Sequence, residues 1–205
     1  MIPIPVVLPT LERLGASIAA GLDVKLTTSE WFTQFSSATQ AADPTAVCSL
    51  IADEDCFWRD ILALTWDFRT FRGLSSIRKA LDDRLAQTKF SELALRTNPP
   101  PELKYPYPGL AWIEAMFDFK TYAGNGTGVV RLIPSKTGQW KAYSIFMSLD
   151  GLNDYPEKIG SRRNIAPIHD KWLENRRKDM EYRHEEPVVV TIGGGQAGLE
   201  IAARF

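Results

Sequence analysis

One stretch near the middle of the chain narrows the possible folds more than any other. From Trp112 to Lys120 the residues alternate strictly: Ile113, Ala115, Phe117 and Phe119 are apolar, while Trp112, Glu114, Met116, Asp118 and Lys120 are mixed. Successive side chains of a strand point to opposite sides, so this is a strand with one side in a core. The predicted strand, 112–122, is followed by two more of the same composition, 127–133 and 140–149. Pro134-Ser135-Lys136-Thr137-Gly138 joins the last two as a hairpin turn. A sheet built this way must bury its apolar side against something, and the first half of the chain supplies helices.

Thr27-Thr28-Ser29-Glu30 has capping-box spacing ahead of Trp31, Phe32 and Phe35, and predicts a helix over 29–42. Asp43-Pro44 predicts a second start, with Asp as cap and Pro in the first turn. Short strands are expected at 56–60 and 63–68, then a helix through Ile77, Leu81 and Leu85. Residues 1–26 read as an arm with a helical piece at Leu11–Leu14, and 171–181 as a charged, solvated helix. The order gives an α+β fold.

With 24 basic and 25 acidic residues among 205, the chain has a net charge of −1 and no basic stripe to favour a nucleic acid. No apolar run approaches the roughly 18 residues of a membrane span. Three prolines and no basic residue within Met1–Pro9 argue against a signal peptide. Cys48 and Cys56 read as buried free thiols of a reducing cytosol. The expected location is cytoplasmic. His169 and His184 have no ligand-type neighbour at metal spacing, so no metal is expected, and there is no Gly-x-Ser-x-Gly elbow.

Near the end, Glu186–Ile192 reads as a buried strand, and Gly193-Gly194-Gly195-Gln196-Ala197-Gly198 follows as G-x-G-x-x-G opening a helix. That context cradles a pyrophosphate only with a second parallel strand and an acidic residue about 20 positions on. Gly193, Gly195 and Gly198 are therefore expected to be a relic, and no cofactor is expected.

Several segments carry a resemblance. They are Trp58-Arg59-Asp60, Leu62–Thr70, Gly73 with Ile77, Pro106–Ile113, Trp140-Lys141-Ala142 and Pro156–Gly160. Together with the glycine turn they resemble the N-terminal region of fungal flavin-containing monooxygenase-like proteins. In that family a nuclear-transport-factor-2-like domain, also described as SnoaL-like or ketosteroid-isomerase-like, precedes a flavin domain. The resemblance stops just after the first glycine turn, so FAD, NADPH and oxygen chemistry are not implied. It implies a cone-shaped, curved antiparallel sheet whose helices enclose a cavity, followed by a remnant of a Rossmann βα unit. The expected divisions are an arm at 1–26, the cone domain at 27–151, a linker at 152–186 and the remnant at 187–205.

The residues that could face such a cavity set the expected chemistry. Alternation puts Trp58 and Asp60 on one side of their strand, and Asp60 falls where the ketosteroid-isomerase segment ends in its general base. Its oxyanion-stabilising Tyr is not matched, since Phe35 stands near that place. Asp60 and Glu114 are the expected acid/base groups, and Trp58, Trp66, Trp112, Met116, Asp118 and Tyr143 the expected substrate contacts. The implied activity is a cofactor-independent isomerase or cyclase acting on a hydrophobic fungal secondary metabolite by rearrangement, dehydration or pericyclic ring closure, in a homodimer. The alternatives are a non-catalytic binding or dimerisation module, or a fragment of a flavin-dependent monooxygenase.

Overall fold

A computed structural model describes residues 7–53, 55–157, 160–162, 171–181 and 190–202. The chain divides into two compact units, Met1–Asp154 and Tyr155–Phe205. The first begins with helices α1 (Leu11–Leu14), α2 (Val24–Gln40) and α3 (Pro44–Ser49). Strands β1 (Phe57–Ile61) and β2 (Phe68–Arg72) come next, then helix α4 (Leu74–Thr88). Strands β3 (Ser91–Leu95), β4 (Glu102–Tyr107), β5 (Leu110–Lys120), β6 (Gly124–Pro134) and β7 (Trp140–Leu152) complete it.

Local chemistry accounts for most of the boundaries. Asp23, not the Thr27–Glu30 box, caps α2, its carboxylate accepting from the Leu26 amide at 3.0 Å. Asp43 caps α3 as expected, with Pro44 in its first turn. The expected strand at 63–68 does not form: 62–67 is a loop, and β2 starts only at Phe68.

The sheet has seven strands in the order β2-β1-β7-β6-β5-β3, with β4 also on β5. β1 runs parallel to β7, so the sheet is mixed and not purely antiparallel. It is neither closed nor curled into a cone, which overturns the expected architecture. The expected cavity is also missing, because its space is full. Phe32 and Phe35 of α2 pack on Phe117 at 5.4 and 6.0 Å between ring centroids, and Phe35 meets Trp58 at 6.2 Å. Phe90 stands edge-on to Phe119 at 5.4 Å. Each fully buried ring of this kind contributes roughly 2–3 kcal/mol by removing apolar surface from water.

Two glycines let the rings lie on the sheet. Phe117 and Phe119 stand opposite Gly128 and Gly126 in the β5–β6 register. A Cβ at Gly128 would overlap the Phe117 ring, and one at Gly126 the Phe119 ring.

The second unit contains a short 3-10 turn (Gly160–Arg162) and helices α5 (Trp172–Glu181) and α6 (Gln196–Ala202). In α5, Lys178 pairs with Glu174 at 2.8 Å and Arg176 covers the Trp172 ring at 5.5 Å. Of the expected strand at 186–192, the first part lies outside the described residues, and Val190, Thr191 and Ile192 are irregular backbone. His169 and His184 also lie outside the described residues.

Candidate functional site

The sequence places Trp58 and Asp60 on the same side of β1, and both are fully buried. Asp60 does not open onto a cavity. One carboxylate oxygen accepts from the amides of Ala63 and Leu64 at 3.2 and 2.8 Å. The other accepts from the amide and the hydroxyl of Thr65 at 2.7 and 2.6 Å. These bonds hold the 62–67 loop, where Leu62 has a φ of 62°, a region unfavourable to a branched side chain. The group caps a turn, and its lone pairs are spent on three backbone amides and the Thr65 hydroxyl.

Beside this loop is a cavity of about 70 Å³, lined by Leu62, Leu64, Trp66, Thr121 and Tyr122 among others. It has room for a few waters, far below the roughly 300 Å³ at which small-molecule sites begin. Trp66 is 59% exposed and donates from its indole nitrogen to the Tyr122 hydroxyl at 3.1 Å.

Glu114 is on the opposite side of the sheet, away from the helices, so the expected acid/base pair is not brought together. Its oxygens accept from Lys104 at 2.7 Å and Arg131 at 2.8 Å. Burial pushes its carboxyl up, but the hydrogen bonds from Lys104 and Arg131 outweigh this and leave it below the ordinary glutamate range. Trp112, Met116 and Asp118 share that side. Arg131 stacks over the Trp112 ring at 5.1 Å, and Arg96 clasps Asp118 through contacts of 2.6 to 3.0 Å. Tyr143 is buried beside Phe57, edge to face at 5.7 Å, and burial raises its hydroxyl above the usual tyrosine range.

A larger opening lies where no site was expected. A cleft of about 520 Å³ separates α1 from the β6–β7 hairpin. Its floor is apolar, with Leu14, Ala52, Ile133 and Pro134, and Arg13, Lys136 and Lys141 stand along its sides. In the sequence these residues are far apart in an arm and a turn. Only the placing of Lys136 between Ser135 and Thr137, with Lys141 four residues past Thr137, could have drawn attention.

Among the described residues, no three of His, Cys, Asp or Glu lie together to hold a metal ion. Among the same residues, no helix is long and apolar enough to cross a membrane. In the second unit the glycine turn is formed locally. Gly193 has a φ of 110°, and a Cβ on Gly198 would overlap the Gly193 carbonyl oxygen. Both positions therefore need glycine.

No family model and no curated protein matches the chain. Solved structures do. A ketosteroid isomerase-like protein from Erwinia carotovora atroseptica is 13% identical, with 63% of this chain and 98% of that one covered at a TM-score of 0.46. ActVI-ORFA from Streptomyces coelicolor is 10% identical, covering 61% and 96%, also at 0.46. A protein with a cystatin-like fold from Nostoc punctiforme is 13% identical, covering 65% and 96% at 0.47. Likenesses of this size carry no argument about the chemistry of this chain.

Proposed function

We propose that residues 7–154 form a distant nuclear-transport-factor-2-like module that dimerises and binds, without catalysis, through the open side of its sheet. The observation that carries this reading is the state of Asp60. The best-placed acid is fully buried and saturated by four donors from its own loop. It has no lone pair aimed at a substrate, and the rings around it leave no room for one.

The open side of the sheet is built differently. Met116, Val129 and Phe146 stand in register across β5, β6 and β7, with Phe146 37% exposed. Around this apolar row, Glu114 faces Lys104 and Arg131, and Asp118 faces Arg96. Each acid there is already paired, two carboxylates against three cations, so a second copy related by a twofold axis would meet apolar side chains at the centre and only a small positive excess at the rim. Sedimentation velocity over a wide concentration range tests this. The expected result is a dimer that Phe146→Asp converts to a folded monomer with the native circular-dichroism spectrum, its melting temperature no longer rising with concentration as that of the dimer does. A native chain that stays monomeric at every concentration would end the proposal.

One observation favours a second reading, the cofactor-independent isomerase or cyclase. The indole nitrogen of Trp58 is buried with no acceptor. Such a donor costs about 1–3 kcal/mol, and a ligand carbonyl reaching it in a form of the core opened by shifted rings would relieve it. Deuterium uptake next to the carbonyl of cyclohexenone, compared between the native chain and Asp60→Asn, decides it. Asp60-dependent uptake supports catalysis, and uptake no faster than in buffer counts against it.

A further inference from the structure

We propose that the cleft between α1 and the β6–β7 hairpin is a binding site for a small organic carboxylate with an apolar body. This goes beyond dimerisation and uses a different surface. The volume of about 520 Å³ lies within the range of small-molecule sites. The apolar floor of Leu14, Ala52, Ile133 and Pro134 suits a hydrocarbon ring, and the charge along the sides suits an anion.

The two lysine charges are available to a ligand. Among the described residues Lys136 makes no ion pair, while its aliphatic stem lies across Gly15 at the end of α1 and spans the cleft. That contact fixes the stem and leaves the ammonium group at the opening. Lys141 pairs with Asp53 only loosely, at 3.3 Å, and the Asp53 side chain is 78% exposed. A water-screened pair of this type contributes little and yields readily to a better-placed anion. Arg13 is held at 2.7 Å by Asp55, which fixes the guanidinium at the cleft wall without neutralising the two lysines.

Neutral donors complete the site. The Ser135 and Thr137 hydroxyls lie 2.9 Å apart and exchange a hydrogen bond in which either can be the donor. One of them can turn its proton to a carboxylate while still accepting from the other. The described ionisable residues of the cleft are Arg13, Lys136, Lys141 and Asp53. With Arg13 paired to Asp55 and Lys141 to Asp53, Lys136 leaves a positive excess at the cleft of a chain whose net charge is −1. This local field against the overall sign selects an anion over a neutral molecule of the same shape.

The experiment titrates naphthoate, and separately naphthyl methanol, into the full chain while amide signals are followed by NMR. Saturable shifts confined to residues 9–14, 52–53 and 133–141 are expected for naphthoate. Affinity should fall as salt rises, and by about tenfold in Lys136→Gln and in Lys141→Gln. Lys79→Gln, on the far helix α4, should bind as the native chain does. The amide spectra also show directly whether each variant is folded. Equal binding of the neutral alcohol, shifts centred on the open side of the sheet, or no saturation by naphthoate would overturn the proposal.

Discussion

The amide and the hydroxyl of Thr65 both donate to the same oxygen of Asp60, at 2.7 and 2.6 Å. This double contact makes the 62–67 loop an extension of β1 instead of a free connection. Asp60→Ala would strand three amides, two of them buried, and a loss of about 2–4 kcal/mol is expected in urea unfolding. Thr65→Val keeps the amide bond and removes the hydroxyl's bonds to Asp60 and, at 3.4 Å, to the Asp67 carbonyl, and should cost about 1 kcal/mol. Equal stability of Asp60→Ala and the native chain would remove the capping role.

Two tryptophans at the same core offer a comparison. Trp31 donates from its indole nitrogen to the Leu50 carbonyl at 3.1 Å, whereas that of Trp58 has no acceptor. Replacing each by Phe removes a ring of equal size, but only Trp31→Phe breaks a bond. Trp31→Phe should therefore cost about 1 kcal/mol more than Trp58→Phe in denaturant unfolding. The opposite order would mean that the Trp58 donor is satisfied in solution.

Acid should weaken the open side of the sheet through Glu114. Its folded value lies below the ordinary range because of Lys104 and Arg131. The stability it adds is complete above its unfolded value of about 4.3. It is lost as pH falls from there through the folded value. Glu114→Gln should flatten the dependence of urea midpoint on pH in that window while leaving the slope above it unchanged.

Base should act through the cysteines. Burial pushes the Cys56 thiol up to about 11 and raises Cys48 by the same cause. Stability is complete below the unfolded thiol value of about 8.5. Above it the unfolded chain ionises first, so stability falls until the folded thiol ionises near 11. At neutral pH a disulfide reagent should leave both thiols untouched until urea opens the core. Rapid labelling of Cys56 in the native state would contradict its burial.

Much of the sheet was legible in the sequence because alternation is a local signal. The two sides of β5 and the burial of Trp58 with Asp60 follow from it directly. Which mixed side meets a cavity, a partner or water is not local, and Glu114 was misplaced for that reason. Ala63-Leu64-Thr65-Trp66 has strand composition, but the carboxylate three residues before Ala63 draws these amides into a turn. Nothing in the sequence marks β4, which follows directly on the break at Asn98–Pro101 and contains Pro106, and an edge strand tolerates proline that an inner strand does not. The cleft was invisible since α1 and the hairpin meet only in the folded chain.

The parallel pairing of β1 with β7 bears on how this protein is made. β1 leaves the ribosome early, but one of its two neighbours, β7, is among the last segments of the unit to be synthesised. Until then Trp58 and its apolar companions lack the strand that completes their sheet, and the contact that closes it spans most of the unit. Such long-range closure slows folding and exposes a strand edge to other nascent chains. Production at low temperature or with chaperones should therefore raise the soluble yield more than any change to the surface of the finished fold.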